Sequence, residues 1–207
     1  MTEAEINAKI LELYPVGKNW FDDFQVANNS IVYGNTMQWR VKTNTGVFKS
    51  LCKDKDVGVL FANTGVWALL LKECGAKTVT ASTENPEAVK LATALSSYVS
   101  KPITVTDNAV IMFKGDDVFV DPQYEQAFDI LYVQAQFGWN FWKITHNLDT
   151  IFEGLKYYVR EGILFDFSTA VDLGEDYNID SVITSASKFF NQTIIIDGAI
   201  SMVLGKK

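Results

Sequence analysis

The sequence predicts an α/β fold: a seven-stranded, mostly parallel, doubly wound sheet with a C-terminal antiparallel hairpin, preceded by a small N-terminal helix and β-ribbon. Three observations predict it. From Asp56 onward, short apolar runs alternate with segments of helical spacing, as strands alternate with crossover helices. The connections are short, which favours parallel strands covered by helices on both faces. Residues 193–196 and 200–204 flank Asp197-Gly198-Ala199, a turn sequence between two apolar runs that reads as a terminal hairpin.

Each element has its own signal. Over residues 2–14, Thr2 and Glu5 have capping-box spacing, and Ile6, Ile10 and Leu13 share a helical face. Residues 15–23 punctuate. Met37-Gln38-Trp39-Arg40-Val41-Lys42 alternates apolar and polar side chains, the pattern of a half-buried strand, with its partner expected within residues 24–32. Val57-Gly58-Val59-Leu60-Phe61 is the first strand of the main sheet, and residues 65–74 form an apolar helix ended by Gly75. Thr78-Val79-Thr80-Ala81 is the second strand. Asn85-Pro86-Glu87 then opens a helix, because Asn caps, Pro suits the first helical position and Glu suits the positive helix end. Ala88, Leu91, Ala92 and Leu95 continue it.

Residues 103–106 are the third strand, and residues 112–120 form a hairpin turning at Lys114-Gly115-Asp116. Residues 128–133 are the fourth strand. Ile144, Leu148, Ile151, Phe152, Leu155 and Val159 mark one face of a helix ending at Gly162, and residues 163–167 are the fifth strand. The change of rhythm divides the chain into an extension over residues 1–55 and a strand–helix domain over residues 56–207.

Composition narrows the function. Eighteen Lys and Arg stand against 25 Asp and Glu, a net charge of −7. That disfavours nucleic-acid partners, which are gripped through their phosphates by basic side chains. One His and two Cys are too few for a structural zinc site, and no metal is expected. Glu3, Glu5 and Glu12 interrupt any secretory apolar segment, and no run is long enough to span a membrane. The expected location is the cytoplasm, with Cys52 and Cys74 as buried packing residues.

Residues 57–92, VGVLFANTGVWALLLKECGAKTVTASTENPEAVKLA, resemble the first two motifs of the class I S-adenosylmethionine-dependent methyltransferases. The likeness rests on the loop glycine before an apolar helix, the Gly-Ala at that helix's end and the Asn-Pro-Glu-Ala helix start. It extends more loosely over residues 57–205. The lead-in, a β-ribbon running to Val47-Phe48-Lys49-Ser50-Leu51, is similar to that of the small-domain N-methyltransferases. The resemblance makes residues 56–207 a methyltransferase-like Rossmann domain. It implies S-adenosylmethionine as cofactor, contacted by Phe61, Ala62, Asn63, Gly65, Thr83, Glu84, Asn85, Asp107 and Asn108. Three positions depart from the family pattern. Val59 stands where an acidic residue is usual. Phe61 replaces the first loop glycine and is expected to narrow the space for the cofactor's amino-acid end. Thr83 stands where Asp or Glu takes the ribose hydroxyls, with Glu84 one residue later.

Gln134-Ala135-Gln136-Phe137 follows the fourth strand. N-methyltransferases place Asp or Asn, two prolines and an aromatic residue there. The resemblance makes Gln134, Gln136 and Phe137 the acceptor-handling residues. Gln134 can orient an amine or hydroxyl, but an amide does not serve as a general base. Phe137, Trp139, Phe141 and Trp142 either pack beneath a loop or offer a stacking or partner-binding surface over residues 137–142.

The remaining candidates have competing structural readings. His146, the one histidine and so the general-base candidate, falls off the apolar helix face, which suits a solvated position. Asp116, Asp117 and Asp121 form an acidic cluster near the hairpin that suits a metal or, more commonly, a charged turn. Asp166 and Ser168 leave the fifth strand on the ligand side, either facing substrate or capping the next segment. No phosphate loop and no Ser/His/Asp arrangement stands out, and the full G-x-G-x-x-G turn of dehydrogenases is absent. The resemblance therefore implies methyl transfer from a small-molecule donor to an N or O nucleophile of an unidentified acceptor. The alternative is an inactive descendant of the fold acting as a binding or scaffolding module.

Overall fold

A computed structural model describes residues 1–14, 23–83, 85–107, 111–114, 117–133, 148–166, 179–196 and 201–206. Two compact units emerge: Met1–Asp54 with Ala62–Asn108, and Lys55–Phe61 with Ala109–Lys207.

In the first unit, α1 (Glu3–Leu13) begins at the expected capping box, with Glu5 N–H donating to Thr2 Oγ1 and Thr2 N–H to Glu5 Oε2. Ile6 and Ile10 are its buried residues. β1 (Phe24–Ala27) and β2 (Ser30–Tyr33) form an antiparallel hairpin. Its turn residues Asn28 and Asn29 have φ of 51° and 57°, the left-handed pair that matches strand twist in a tight hairpin. The Asn7 side chain ties α1 to the hairpin, donating from Nδ2 to Val26 O and accepting Val26 N–H at Oδ1.

The β-ribbon is therefore present, but the strand expected over residues 37–42 is not. Those residues belong to α2 (Asn35–Leu51). Met37, Arg40, Asn44 and Phe48 are all buried, while Trp39 is 53% exposed. This spacing of three and four is helical; over six residues, it also mimicked alternation. Val47 to Leu51 are accordingly helix rather than a strand lead-in. The chain then gives one strand, β3 (Asp56–Leu60), to the second unit.

Back in the first unit, α3 (Val66–Glu73) is buried from Val66 to Leu71, and Gly75 follows its end with φ of 97°, as a left-handed C-terminal stop does. β4 (Thr78–Ser82) pairs in parallel with β5 (Thr104–Thr106), and α4 (Pro86–Tyr98) connects them.

In the second unit, β6 (Ile111–Lys114) and β7 (Asp117–Val120) form the expected hairpin. β8 (Phe128–Val133) is the expected fourth strand, parallel to β3 on one side and to β9 (Val159–Asp166) on the other. Gly58 stands in β3 because a Cβ there would meet Leu131 and Phe128 side-chain atoms at 2.8 Å. α5 (Leu148–Tyr158) packs on α6 (Ile179–Phe189), an element without a counterpart in the sequence reading. β10 (Phe190–Ile196) and β11 (Ser201–Lys206) form the closing antiparallel hairpin, with β11 paired to β9.

The helix expected to run to Gly162 stops at Tyr158. Val159 passes directly into strand, pairing with Phe128, and Gly162 pairs with Ile130. Leu131, Val133, Phe152, Leu155, Tyr158 and Phe165 fill the core here. In the second unit the strands follow the order β10-β11-β9-β8-β3, and in the first β4 pairs with β5. The α/β class, the mainly parallel pairing and the terminal hairpin are as the sequence predicts.

Candidate functional site

The chain leaves β3 through a turn in which alternate residues are left-handed: Phe61, Asn63 and Gly65 have φ of 55°, 46° and 79°. Glycine adopts this region freely, asparagine tolerates it, and phenylalanine seldom does. The turn holds its shape nonetheless. Gly65 N–H donates to Ala62 O at 2.7 Å, and Leu69 N–H to Gly65 O at 3.0 Å starts α3. Thr64 is fully buried. The Nδ2 of Asn63 is buried and has no hydrogen-bond partner among the described residues, so a donor is held inside this turn at the cost that unmade buried bonds carry.

Backbone hydrogen bonds bring neighbouring strand ends to the turn. Ala62 N–H donates to Ser82 O at 2.9 Å, and Thr83 N–H donates to Thr106 O at 3.1 Å. Ala62, Thr83 and Asp107 are thereby placed along the carboxyl ends of successive chain passes. This is where α/β sheets bind ligands. Thr83 is 5% exposed and Asp107 is exposed.

Asn85 caps α4, accepting Glu87 N–H at Oδ1 at 3.0 Å, with Pro86 in the first turn. Its side-chain oxygen is thus engaged structurally. Glu87 meets Lys9 Nζ at 2.7 Å and Lys90 Nζ at 2.6 Å. Hydrogen bonds from Lys9, then Lys90, hold its carboxyl down to about 2.

Phe61 packs against the core cluster that contains Leu60, Phe128 and Leu131. Its ring is partly buried in that packing. Val59 is 1% exposed and pairs with Tyr132, an apolar core position. Glu84, Asn108, Gln134, Gln136 and Phe137 lie outside the described residues, as do residues 138–142, His146, Asp116 and Ser168. Asp121 caps the short turn Pro122–Tyr124, accepting Gln123 N–H at Oδ1, so its reading as turn chemistry holds. Cys52 and Cys74 are buried and free, as expected. Among the described residues, no group of His, Cys, Asp and Glu has the makings of a metal site. Among them, too, no helix is long and apolar enough to cross a membrane.

The sequence reading placed Arg40 on the polar face of a strand. It is instead 3% exposed, with Cζ 4.8 Å from the ring centroid of Trp67 in the first turn of α3. Phe48 meets the same indole edge-on at 6.3 Å. The signal that would have found this contact is the helical spacing of Met37, Arg40, Asn44 and Phe48.

No family model and no curated protein matches the chain. Solved structures do. A Pyrococcus horikoshii protein is 13% identical, with a TM-score of 0.64 over 95% of this chain and 99% of its own. The magnesium protoporphyrin IX methyltransferase of Synechocystis with bound S-adenosylmethionine is 12% identical, with a TM-score of 0.60 over 99% of this chain and 95% of its own. An S-adenosylmethionine-dependent methyltransferase of Aquifex aeolicus is 13% identical, with a TM-score of 0.57 over 100% of both chains. The fold of the chain is that of the class I methyltransferases.

Proposed function

We propose that this chain binds S-adenosylmethionine and transfers its methyl group to an N or O nucleophile, in the cytoplasm. The observation that carries this reading is the turn over residues 61–65. It keeps three left-handed residues in alternation, two of them not glycine, and buries the Asn63 Nδ2, which has no partner among the described residues. Strained backbone and an unmade buried hydrogen bond together favour a ligand that completes the turn.

The residues present fit that cofactor. Asn63 Nδ2 is a donor suited to the carboxylate of its amino-acid end. The Thr83 hydroxyl suits the ribose, and Asp107 the exocyclic amine of the base. When bound, the cofactor supplies an already activated sulfonium methyl, so the protein's part is proximity and orientation. Gln134, directly after β8, would orient the acceptor without taking its proton, and Gln136 and Phe137 would complete the acceptor side. The bound cofactor of the Synechocystis neighbour supports the reading by analogy of fold.

A second reading, a binding module without catalysis, is favoured by Val59, which is buried where the resembled family has an acidic residue. Residues 137–142 would then be the surface for a protein partner. Isothermal titration of the full chain with S-adenosylmethionine and S-adenosylhomocysteine separates the two readings. Micromolar binding, about −8 kcal/mol at 1 μM, is expected from the first. No heat, with no thermal shift at millimolar ligand, would overturn it in favour of the second.

A further inference from the structure

The N-terminal helix lies antiparallel along α4 and is tied to both its ends. At the start of α4, Lys9 Nζ reaches Glu87 Oε2 at 2.7 Å. At its end, Tyr98 OH donates to Glu3 Oε2, and Asn29 N–H donates in turn to Tyr98 OH at 3.1 Å. The buried Ile6 and Ile10 of α1 and the buried Ala88, Leu91, Ala92 and Leu95 of α4 supply the apolar residues of these two contacting helices. Asn7 fixes α1 to β1 on its other side. Glu87 lies in the turn of α4 that Asn85 caps, two residues after that cap and four after Thr83.

We propose that Lys9 is a positioning residue for the donor site: by holding Glu87, α1 sets the first turn of α4 and with it the placement of Asn85 and Thr83. The inference rests on the donor-binding reading of those residues. Ala92 extends the argument to the loop before α3. A Cβ on Gly65 would stand 2.7 Å from the Ala92 Cβ, so α4 cannot shift toward the loop, and α1 bears on its other contacts. Lys9 also pairs with Glu12 at 3.0 Å, and Lys90 with Glu87 at 2.6 Å. Removing Lys9 therefore leaves Glu87 one partner from its own helix and none from α1 among these pairs.

Two readouts on the full chain test this. The first is hydrogen exchange of the amides of residues 87–91 without ligand, which does not depend on donor binding. The second is the dissociation constant for S-adenosylhomocysteine. Lys9→Glu is expected to speed exchange over those residues and weaken binding about three- to tenfold, the range of a lost exposed ion pair made repulsive. Lys9→Arg should behave like the wild type. Lys9→Gln should fall between the wild type and Lys9→Glu, and exchange over residues 128–133 should not change in any of these variants, which a general loss of stability would not allow. Unchanged exchange and affinity in Lys9→Glu would overturn the proposal, as would a loss in Lys9→Arg as large as that in Lys9→Glu. If the wild type binds no S-adenosylhomocysteine, the donor reading fails, while the exchange result still decides whether α1 sets the start of α4.

Discussion

Gly65 faces Ala92 so closely that a Cβ on the glycine would stand 2.7 Å from the alanine Cβ. Its φ of 79° is also left-handed. The glycine is thus required twice, by the room at α4 and by the backbone. Gly65→Ala should destabilise the fold by about 2–3 kcal/mol, summing overpacking and left-handed strain. Urea denaturation measures it. The double variant with Ala92→Gly should lose less than the sum of the single losses, since the two share one contact. Strict additivity would show that the contact is not what constrains position 65.

Asn63 offers the complementary test, because its Nδ2 has no hydrogen-bond partner among the described residues. Asn63→Gly keeps a residue comfortable at φ of 46° and removes the unpartnered Nδ2. Stability should hold or rise slightly. Affinity for S-adenosylhomocysteine should fall about tenfold, the worth of about 1.4 kcal/mol. A variant that binds as tightly as the wild type would remove Asn63 from the donor site.

These two residues also mark what was legible in the sequence. Gly65 could be read, since a glycine between an apolar strand and an apolar helix announces a turn, and Asn85-Pro86-Glu87 announced the next helix through its cap. Apolar runs located β3 and β8, because buried parallel strands need little else. The left-handed geometry at Phe61 and Asn63 carried no such signal, because neither residue type requires it. Residues 37–42 misled for a different reason. Six residues satisfy both a period of two and a helical face, and only the continuation to Asn44 and Phe48 separates them. Lys9 to Glu87 is a long-range pair between two surface helix positions, which no local pattern encodes.

At the opposite end of β3, Arg160 joins three elements. Its Nε donates to Asp129 Oδ1 at 2.7 Å and its Nη2 to Asp56 Oδ2 at 3.0 Å, while Nη1 donates to Gln126 O at 2.7 Å. This fork ties the start of β9 to β8 and β3. Arg160→Ala should cost about 1–2 kcal/mol, less than a buried network would, because the side chain is 39% exposed. Arg160→Lys should recover only part, since an ammonium lacks the planar fork. Donor affinity should not change in either variant. Urea midpoints and titration calorimetry check the two halves.

The same network sets an acid limit. The hydrogen bond from Arg160 holds the Asp129 carboxyl below its ordinary value of 3.8, and Lys9 and Lys90 hold Glu87 down to about 2. A carboxyl depressed in the folded state binds protons less readily than in the unfolded chain, so protonation favours unfolding. Its contribution is complete above the unfolded value and is lost as pH falls through the folded one. For these groups, stability should be level from about pH 5 to pH 8 and decline below about pH 4. Arg160→Ala removes the cause at Asp129, so its curve should fall less steeply in acid and approach the wild type there. Urea midpoints of both proteins from pH 3 to pH 7 provide the test. Parallel curves would mean that Asp129 titrates alike in both, and that its ion pair with Arg160 contributes nothing to the acid limit.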